Sequence, residues 1–125
     1  MIGLRIKTKD QELYLDKQVG FLLVGRSIKN DMVVNNESIS RQHLRFECQA
    51  DKYYIIDESQ NGSFIYKNDE SYRYIRQQRY ELELDDIAIC LGKPIHECTA
   101  DEIIHLSFVS KDEAAPNEHS RLGNH

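Results

Sequence analysis

The sequence lacks the marks of a secreted, membrane-spanning or broadly nucleic-acid-binding protein. It has three cysteines, Cys48, Cys90 and Cys98. An odd count at irregular spacing, with no CxxC, does not make a disulfide frame, and the thiols read as reduced in an intracellular protein. No apolar run approaches the roughly 18 residues that a membrane span needs. The longest uncharged stretch, near VGFLLVG, is far shorter. The opening MIGLRIKTKD alternates and lacks the layout of a signal peptide, so no secretion is expected. An excess of basic charge is also missing: 16 Lys and Arg face 21 Asp and Glu, a net charge of −5. General nucleic-acid binders carry the opposite balance, although a local positive pocket is compatible with this one. Finally, no segment shows a convincing 3.6-residue apolar stripe, so long amphipathic helices are not expected.

What is present is alternation. The 125 residues, 40% apolar and 30% charged, fit one soluble globular domain with one sizeable core. Period-2 patterns run through residues 3–7, 12–15, 20–25, 32–34, 43–48, 53–57, 63–66, 72–75, 79–84, 87–91 and 103–109. The turn signals KD, QVG, NN, QAD, QNG, KND, DD and GKP separate them. In HLRFEC, for example, Leu44, Phe46 and Cys48 should face the core while Arg45 and Glu47 face water. Many short strands at close spacing predict an all-β, antiparallel β-sandwich of eleven strands, with EIIHLSFV closing one sheet. From Lys111 the chain turns polar, with Pro116 and Gly123 and no apolar period. The expectation is a domain over 1–110 and a disordered tail over 111–125.

Three polar loops follow predicted strand ends: RSIKN (26–30), NNESISRQ (35–42) and ESQNG (58–62). Sandwich loops cluster at the two ends and carry function on a rigid frame. Together these loops offer the guanidinium groups of Arg26 and Arg41 and the hydroxyl of Ser40. A dianionic phosphate is held well by such donors, because charge-assisted bonds from arginine are strong and can be bidentate. Asn61 carries both an amide donor and a carbonyl acceptor, which suits it to clamp an extended peptide backbone. Gly62 fits a tight turn with positive φ.

Gly25-Arg26, Ser40-x-x-His43 and Asn61-Gly62, in that order, resemble the signature of the forkhead-associated (FHA) domain. The surroundings match too. Residues 57–64 read D-x-S-x-N-G-S-F, and LDDIAICLG resembles a later family segment, with Asp85 where a glycine is common. The resemblance spans about residues 1–110. It implies an eleven-stranded sandwich of the SMAD/FHA-like kind that binds phosphothreonine peptides with the loops at one end. By similarity, Arg26 and Ser40 contact the phosphate, Arg41 adds a further phosphate or peptide contact, and Asn61 holds the backbone just after the phosphothreonine. Gly25, Gly62 and His43 are architectural in this reading, His43 bracing the loops. Gln60 stands where many members have threonine or a basic residue. It can donate a hydrogen bond to the phosphate but brings no charge, so the departure bears on affinity. A second departure is the long insert KNDESYRYIRQQRY, residues 67–80.

The implied protein is an adaptor that docks a phosphothreonine-containing partner, with a Ser/Thr kinase upstream and no cofactor, metal, membrane or nucleic acid. It is expected inside the cell, in the cytoplasm or the nucleus. The chain has two threonines, Thr8 and Thr99, so the phosphothreonine is expected in trans. Ser38 and the loop over 93–99 are candidates for reading residues beyond the phosphate. The alternative is a phospho-independent interaction or oligomerisation module that uses a sheet face or the tyrosine-rich insert. That insert alternates tyrosine and arginine, which suits nucleic acid or a strand hairpin with Tyr72 and Tyr74 on one face. An enzyme comes third: Ser40 with His43 would need an orienting carboxylate and an oxyanion hole, and no G-x-S-x-G elbow is present. Cys90, His96 and Cys98 do not have a zinc spacing.

Overall fold

The computed structural model describes residues 2–110. The expected disordered tail lies outside them. Eleven strands form, in chain order β1 (Ile2–Lys7), β2 (Glu12–Leu15), β3 (Phe21–Gly25), β4 (Met32–Val33), β5 (Leu44–Gln49), β6 (Lys52–Asp57), β7 (Ser63–Lys67), β8 (Tyr72–Ile75), β9 (Arg79–Glu81), β10 (Asp86–Leu91) and β11 (Ile103–Ser110). A six-stranded sheet runs β2-β1-β11-β10-β7-β8, and a five-stranded sheet runs β4-β3-β5-β6-β9. Two single 3-10 turns, Ile95–Glu97 and Ala100–Glu102, occupy the connection from β10 to β11. No helix among the described residues is long and apolar enough to cross a membrane.

Alternation builds this sandwich strand by strand. In β5, Leu44, Phe46 and Cys48 are buried while Arg45 and Glu47 stay half-buried. In β6, Tyr53 and Ile55 point inward from the neighbouring strand. Ala50 and Asp51, both with positive φ (51° and 66°), join the two strands in the backbone shape whose twist suits a tight hairpin. Leu4, Ile6, Leu15, Val24, Phe46, Ile55, Ile65, Ile89 and Ile104 fill one core between the sheets. Burial of such apolar area is the main favourable term in folding.

Two features differ from the simplest reading of the pattern. The pair β3–β4 is parallel, Val24 with Met32 and Gly25 with Val33. Period-2 alternation reports which face a residue takes but not strand direction, and β4 is only a two-residue edge piece. Strand β11 does not close a sheet. It lies in the middle, paired to β1 and to β10.

Register gathers the functional loops. Val24 pairs with Leu44, and Leu44 with Asp57. In the other sheet Leu91 pairs with Ser63, and Ser63 with Ile75. The loops after β3, β6, β8 and β10 and the loop before β5 therefore meet at one end of the sandwich.

Candidate functional site

Gly25 ends β3 because the chain crosses another backbone there. A Cβ at this position would lie 2.2 Å from the carbonyl oxygen of Arg41. The close approach lets Arg26 N–H donate to Ser40 O (3.0 Å) and Ser27 N–H donate to Arg41 O (3.1 Å). The Arg26 side chain donates through Nε to Ile39 O at 2.9 Å. Its two terminal nitrogens have no partner among the described residues. The exposed Arg41 guanidinium is likewise without a carboxylate among the described residues. Beside it lies a hollow of about 210 Å³, lined by Leu23, Ser27, Lys29, Asn30, Arg41 and Gln42.

His43 is fully buried and holds two loops together. Ser40 N–H donates to its Nδ1 at 3.0 Å, so Nδ1 is the acceptor and Nε2 carries the proton. Nε2–H donates to Gly62 O at 2.7 Å. Burial pushes the His43 pKa down, against the opposing pull of the Gly62 carbonyl and of Asp57. The ring is thus a neutral brace. Both of its nitrogens are committed to backbone, and neither bonds the Ser40 hydroxyl, so the pair is not arranged as nucleophile and base.

The Ser40 hydroxyl has a defined polarity. Gln60 N–H donates to its oxygen at 3.1 Å. With that lone pair taken, the O–H is free to donate outward. Gln60 itself contributes backbone: its exposed side chain has no partner among the described residues, whereas its N–H and carbonyl are both engaged. Asn61 Nδ2 donates to Ser38 O at 2.9 Å, which fixes the amide across the two loops. Its second N–H and its side-chain oxygen remain open, and these can pair with an extended backbone.

Beneath the loop lies a buried carboxylate that pattern reading did not assign a role. Asp57 Oδ1 accepts from Ser59 N–H (2.9 Å), Ser59 Oγ (2.8 Å) and Gln77 N–H (3.1 Å). Asp57 Oδ2 accepts from Ser63 Oγ at 2.5 Å and lies 3.8 Å from His43 Nε2. Ser59 Oγ in turn accepts from Gly62 N–H at 2.7 Å. Ser59 is therefore a turn hydroxyl and Ser63 a strand-start hydroxyl. Gly62 has φ +83°, and its carbonyl accepts from Gly92 N–H as well as from His43.

The loop after β10 joins the same end. A Cβ on Gly92 would lie 2.4 Å from Ser38 O. Asn36 Nδ2 donates to Glu102 Oε2 at 2.8 Å, and Lys93 Nζ pairs with Glu102 Oε1 at 3.3 Å. Elsewhere, Glu83, Asp85 and Asp86 bring their carboxylates together, but Lys67 Nζ sits among them at 2.6, 3.0 and 3.0 Å. The three cysteines are free thiols, and burial pushes the Cys90 thiol up.

Residues 22–92, more than half of the chain, match the family model described as FHA domain. The chain belongs to the FHA family. Solved FHA structures share its fold. An Arabidopsis thaliana FHA domain is 25% identical with a TM-score of 0.64, the alignment covering 86% of each chain. The Mycobacterium tuberculosis Rv1747 FHA-1 domain is 19% identical with a TM-score of 0.64, covering 87% of this chain and 98% of the other. The MEK1 FHA domain, solved in complex with a phosphothreonine peptide of HOP1, is 23% identical with a TM-score of 0.63, covering 86% of this chain and 97% of the other. Among curated proteins none matches. Of the FHA signature residues of this chain, Gly25 ends β3, His43 directly precedes β5, and Arg26, Ser40, Asn61 and Gly62 lie on the three adjoining loops described above.

Proposed function

We propose that this FHA domain docks a phosphothreonine-containing segment of a partner protein through Arg26, Ser40, Arg41 and Asn61. Arg26 and Ser40 hold the phosphate, Arg41 adds charge at its side, and Asn61 clamps the backbone that follows. Gln60 supports the cradle through its main chain, and its exposed side chain donates a hydrogen bond to the phosphate. The observation that carries the reading is electrostatic. The chain is net acidic, and Arg5, Arg45, Lys52, Lys67 and Lys93 all have carboxylate partners. Arg26, Lys29 and Arg41 at the loop end have none among the described residues; Lys29 and Arg41 line one hollow, and the Arg26 main chain is bonded to that of Ser40. Unpaired cations and free donors converging on one surface suit a phosphorylated side chain.

The source of the phosphothreonine is another protein. Thr8 is buried and its hydroxyl accepts from Gln11 N–H. Thr99 caps a 3-10 turn and bonds Asp101. A Ser/Thr kinase acts upstream, and removing the phosphate releases the partner.

Fluorescence anisotropy against phosphothreonine, phosphoserine and unphosphorylated versions of one peptide library tests this. Hydrogen bonds to charged groups contribute about 1.5–3 kcal/mol each, so Arg26→Ala should weaken phosphothreonine binding about ten- to 150-fold. Its stability should fall by about 0.5–1.5 kcal/mol at most, from the lost Nε bond to Ile39 O. A folded wild-type protein that binds no phosphorylated set refutes the reading. A second reading, phospho-independent association through the sheet face, rests on Tyr72 and Tyr74, 60% and 45% exposed and packed around Phe64. It predicts binding that Arg26→Ala leaves intact.

A further inference from the structure

The insert is built into the loop end. Three consecutive carbonyls of the loop after β6 each accept a bond from a side chain of residues 74–77. Gln77 Nε2 donates to Ser59 O (3.1 Å), Arg76 Nε to Gln60 O (2.8 Å) and Tyr74 OH to Asn61 O (2.8 Å). The turn from β8 to β9 thus stands against the backbone of the loop that carries Asn61. Among its side chains Arg76 is unlike the other arginines of the insert. Arg73 lies 5.7 Å from the Tyr80 ring centre, and Arg79 lies 3.8 Å from that of Tyr54. Arg76 has no ring and no carboxylate partner among the described residues, and it is exposed. A guanidinium has five N–H donors, of which Nε–H is used here. The nearby carboxylates are already committed: Glu58 to Gln42 and Arg45, Asp57 to Ser59, Ser63 and Gln77.

From this geometry we infer that Arg76 is a specificity residue that reads a negative charge on the partner segment where it passes the loop over 60–61. The inference rests on the phosphothreonine reading, since Asn61 fixes the path of that segment. The preferred partner carries an acidic group flanking the phosphothreonine, either a carboxylate side chain or a second phosphate. Arg76 is held at Nε by the Gln60 carbonyl, so its fork is oriented before the ligand arrives. Such pre-ordering lowers the entropy lost on binding. The Nε bond also gives Arg76 a supporting role in the loop, and the test has to separate the two.

The experiment measures anisotropy with one phosphothreonine peptide in which alanine is replaced, position by position on both flanks, by aspartate or by phosphoserine. The proteins are wild type, Arg76→Gln, and Lys17→Gln as a charge-matched control at the opposite end of the sandwich. The expected result is one or two flank positions where the acid tightens wild-type binding about two- to fivefold, as exposed charge pairs do. That gain should vanish in Arg76→Gln and persist in Lys17→Gln. A larger gain with phosphoserine than with aspartate assigns a second phosphate, and equal gains assign a carboxylate. If Arg76→Gln weakens every peptide equally, acidic or not, Arg76 is a loop support only and the inference fails. The same holds if the acid gain survives in Arg76→Gln. If wild type binds no phosphothreonine peptide at all, the phosphothreonine reading itself falls and takes this one with it.

Discussion

Replacing His43 should uncouple this fold from acid in a way that can be read quantitatively. The imidazole is buried, neutral and bonded at both nitrogens, Nδ1 from Ser40 N–H and Nε2–H to Gly62 O. Burial is the largest influence on its pKa and depresses it below the ordinary value of 6.5. In the unfolded chain the ring takes up a proton as the pH falls through about 6.5. The folded chain does not until lower pH, so over that window the unfolded state binds more protons. Stability is then present above pH 6.5 and lost as pH falls towards the folded-state pKa. One proton gives a slope of at most about 1.4 kcal/mol per pH unit, a ceiling of about 2 kcal/mol between pH 6.5 and 5.0. Carboxylates titrate mainly below this window. Urea unfolding of wild type and His43→Gln at several pH values between 7.5 and 5.0 measures it. The variant should start about 2–4 kcal/mol less stable, from two disrupted buried hydrogen bonds. Its stability should then fall less steeply than that of wild type. Parallel slopes for the two proteins would refute the assignment of a buried neutral ring.

Gly25→Ala should damage both folding and binding, because the added Cβ would meet the Arg41 carbonyl at 2.2 Å. Overpacking of this kind costs about 1–3 kcal/mol, and thermal unfolding with a phosphopeptide titration would show the two losses together. A Gly25→Ala protein with unchanged midpoint and affinity would mean that the crossing is not tight. Asp57→Asn keeps the shape but puts an amide group where two oxygens accept from two serine hydroxyls and from the backbone N–H groups of Ser59 and Gln77. A buried donor facing donors costs about 1–3 kcal/mol, measurable by urea unfolding at pH 7. Phosphopeptide affinity should fall with it, since the same carboxylate organises the loop that carries Asn61.

The strands were readable because their signal is local. Alternation places Leu44, Phe46 and Cys48 on one side and Arg45 and Glu47 on the other, and the structure does the same. The order of strands is not local. Nothing in EIIHLSFV says that β11 lies between β1 and β10, and nothing in the Met32–Val33 pair says that it runs parallel to β3. The signature residues were readable as a set, and the three loops that bear them do adjoin. Gln60, expected to offer its side chain to a phosphate, keeps that side chain exposed and commits its N–H and its carbonyl to the loops. The supporting contacts were invisible for a physical reason: Gln77 to Ser59, Arg76 to Gln60 and Tyr74 to Asn61 join residues 13 to 18 positions apart through single side-chain bonds. No periodicity records such a bond. The one clue was the insert's length, which marked the segment as unusual without saying what it touches.

At the loop end, polar groups divide by direction, and that division links the fold to its chemistry. The groups turned inward are committed to one another: both His43 nitrogens, both Asp57 oxygens, the Ser59 hydroxyl and the Gly62 carbonyl. A buried polar network that is fully satisfied rigidifies its surroundings. The groups turned outward are the reverse. The terminal nitrogens of Arg26 and Arg76, the Arg41 guanidinium, the Ser40 hydroxyl proton and half of the Asn61 amide have no partner among the described residues. Most are nevertheless anchored by a neighbouring atom: Arg26 and Arg76 through Nε, Ser40 through the Gln60 N–H and Asn61 through Ser38 O, whereas for Arg41 it is the main chain that is held, through its carbonyl. Donors held in place before the ligand arrives lose little freedom on binding it. An isolated arginine on a flexible loop would offer the same charge to any anion. Donors fixed at several points discriminate by geometry, so the surface should favour a phosphorylated side chain followed by an extended backbone over free inorganic phosphate. Competition of bound phosphopeptide by inorganic phosphate measures this directly: displacement should require concentrations at least about a hundredfold above the peptide's own dissociation constant, and displacement at comparable concentrations would mean that the anchoring contributes nothing to recognition.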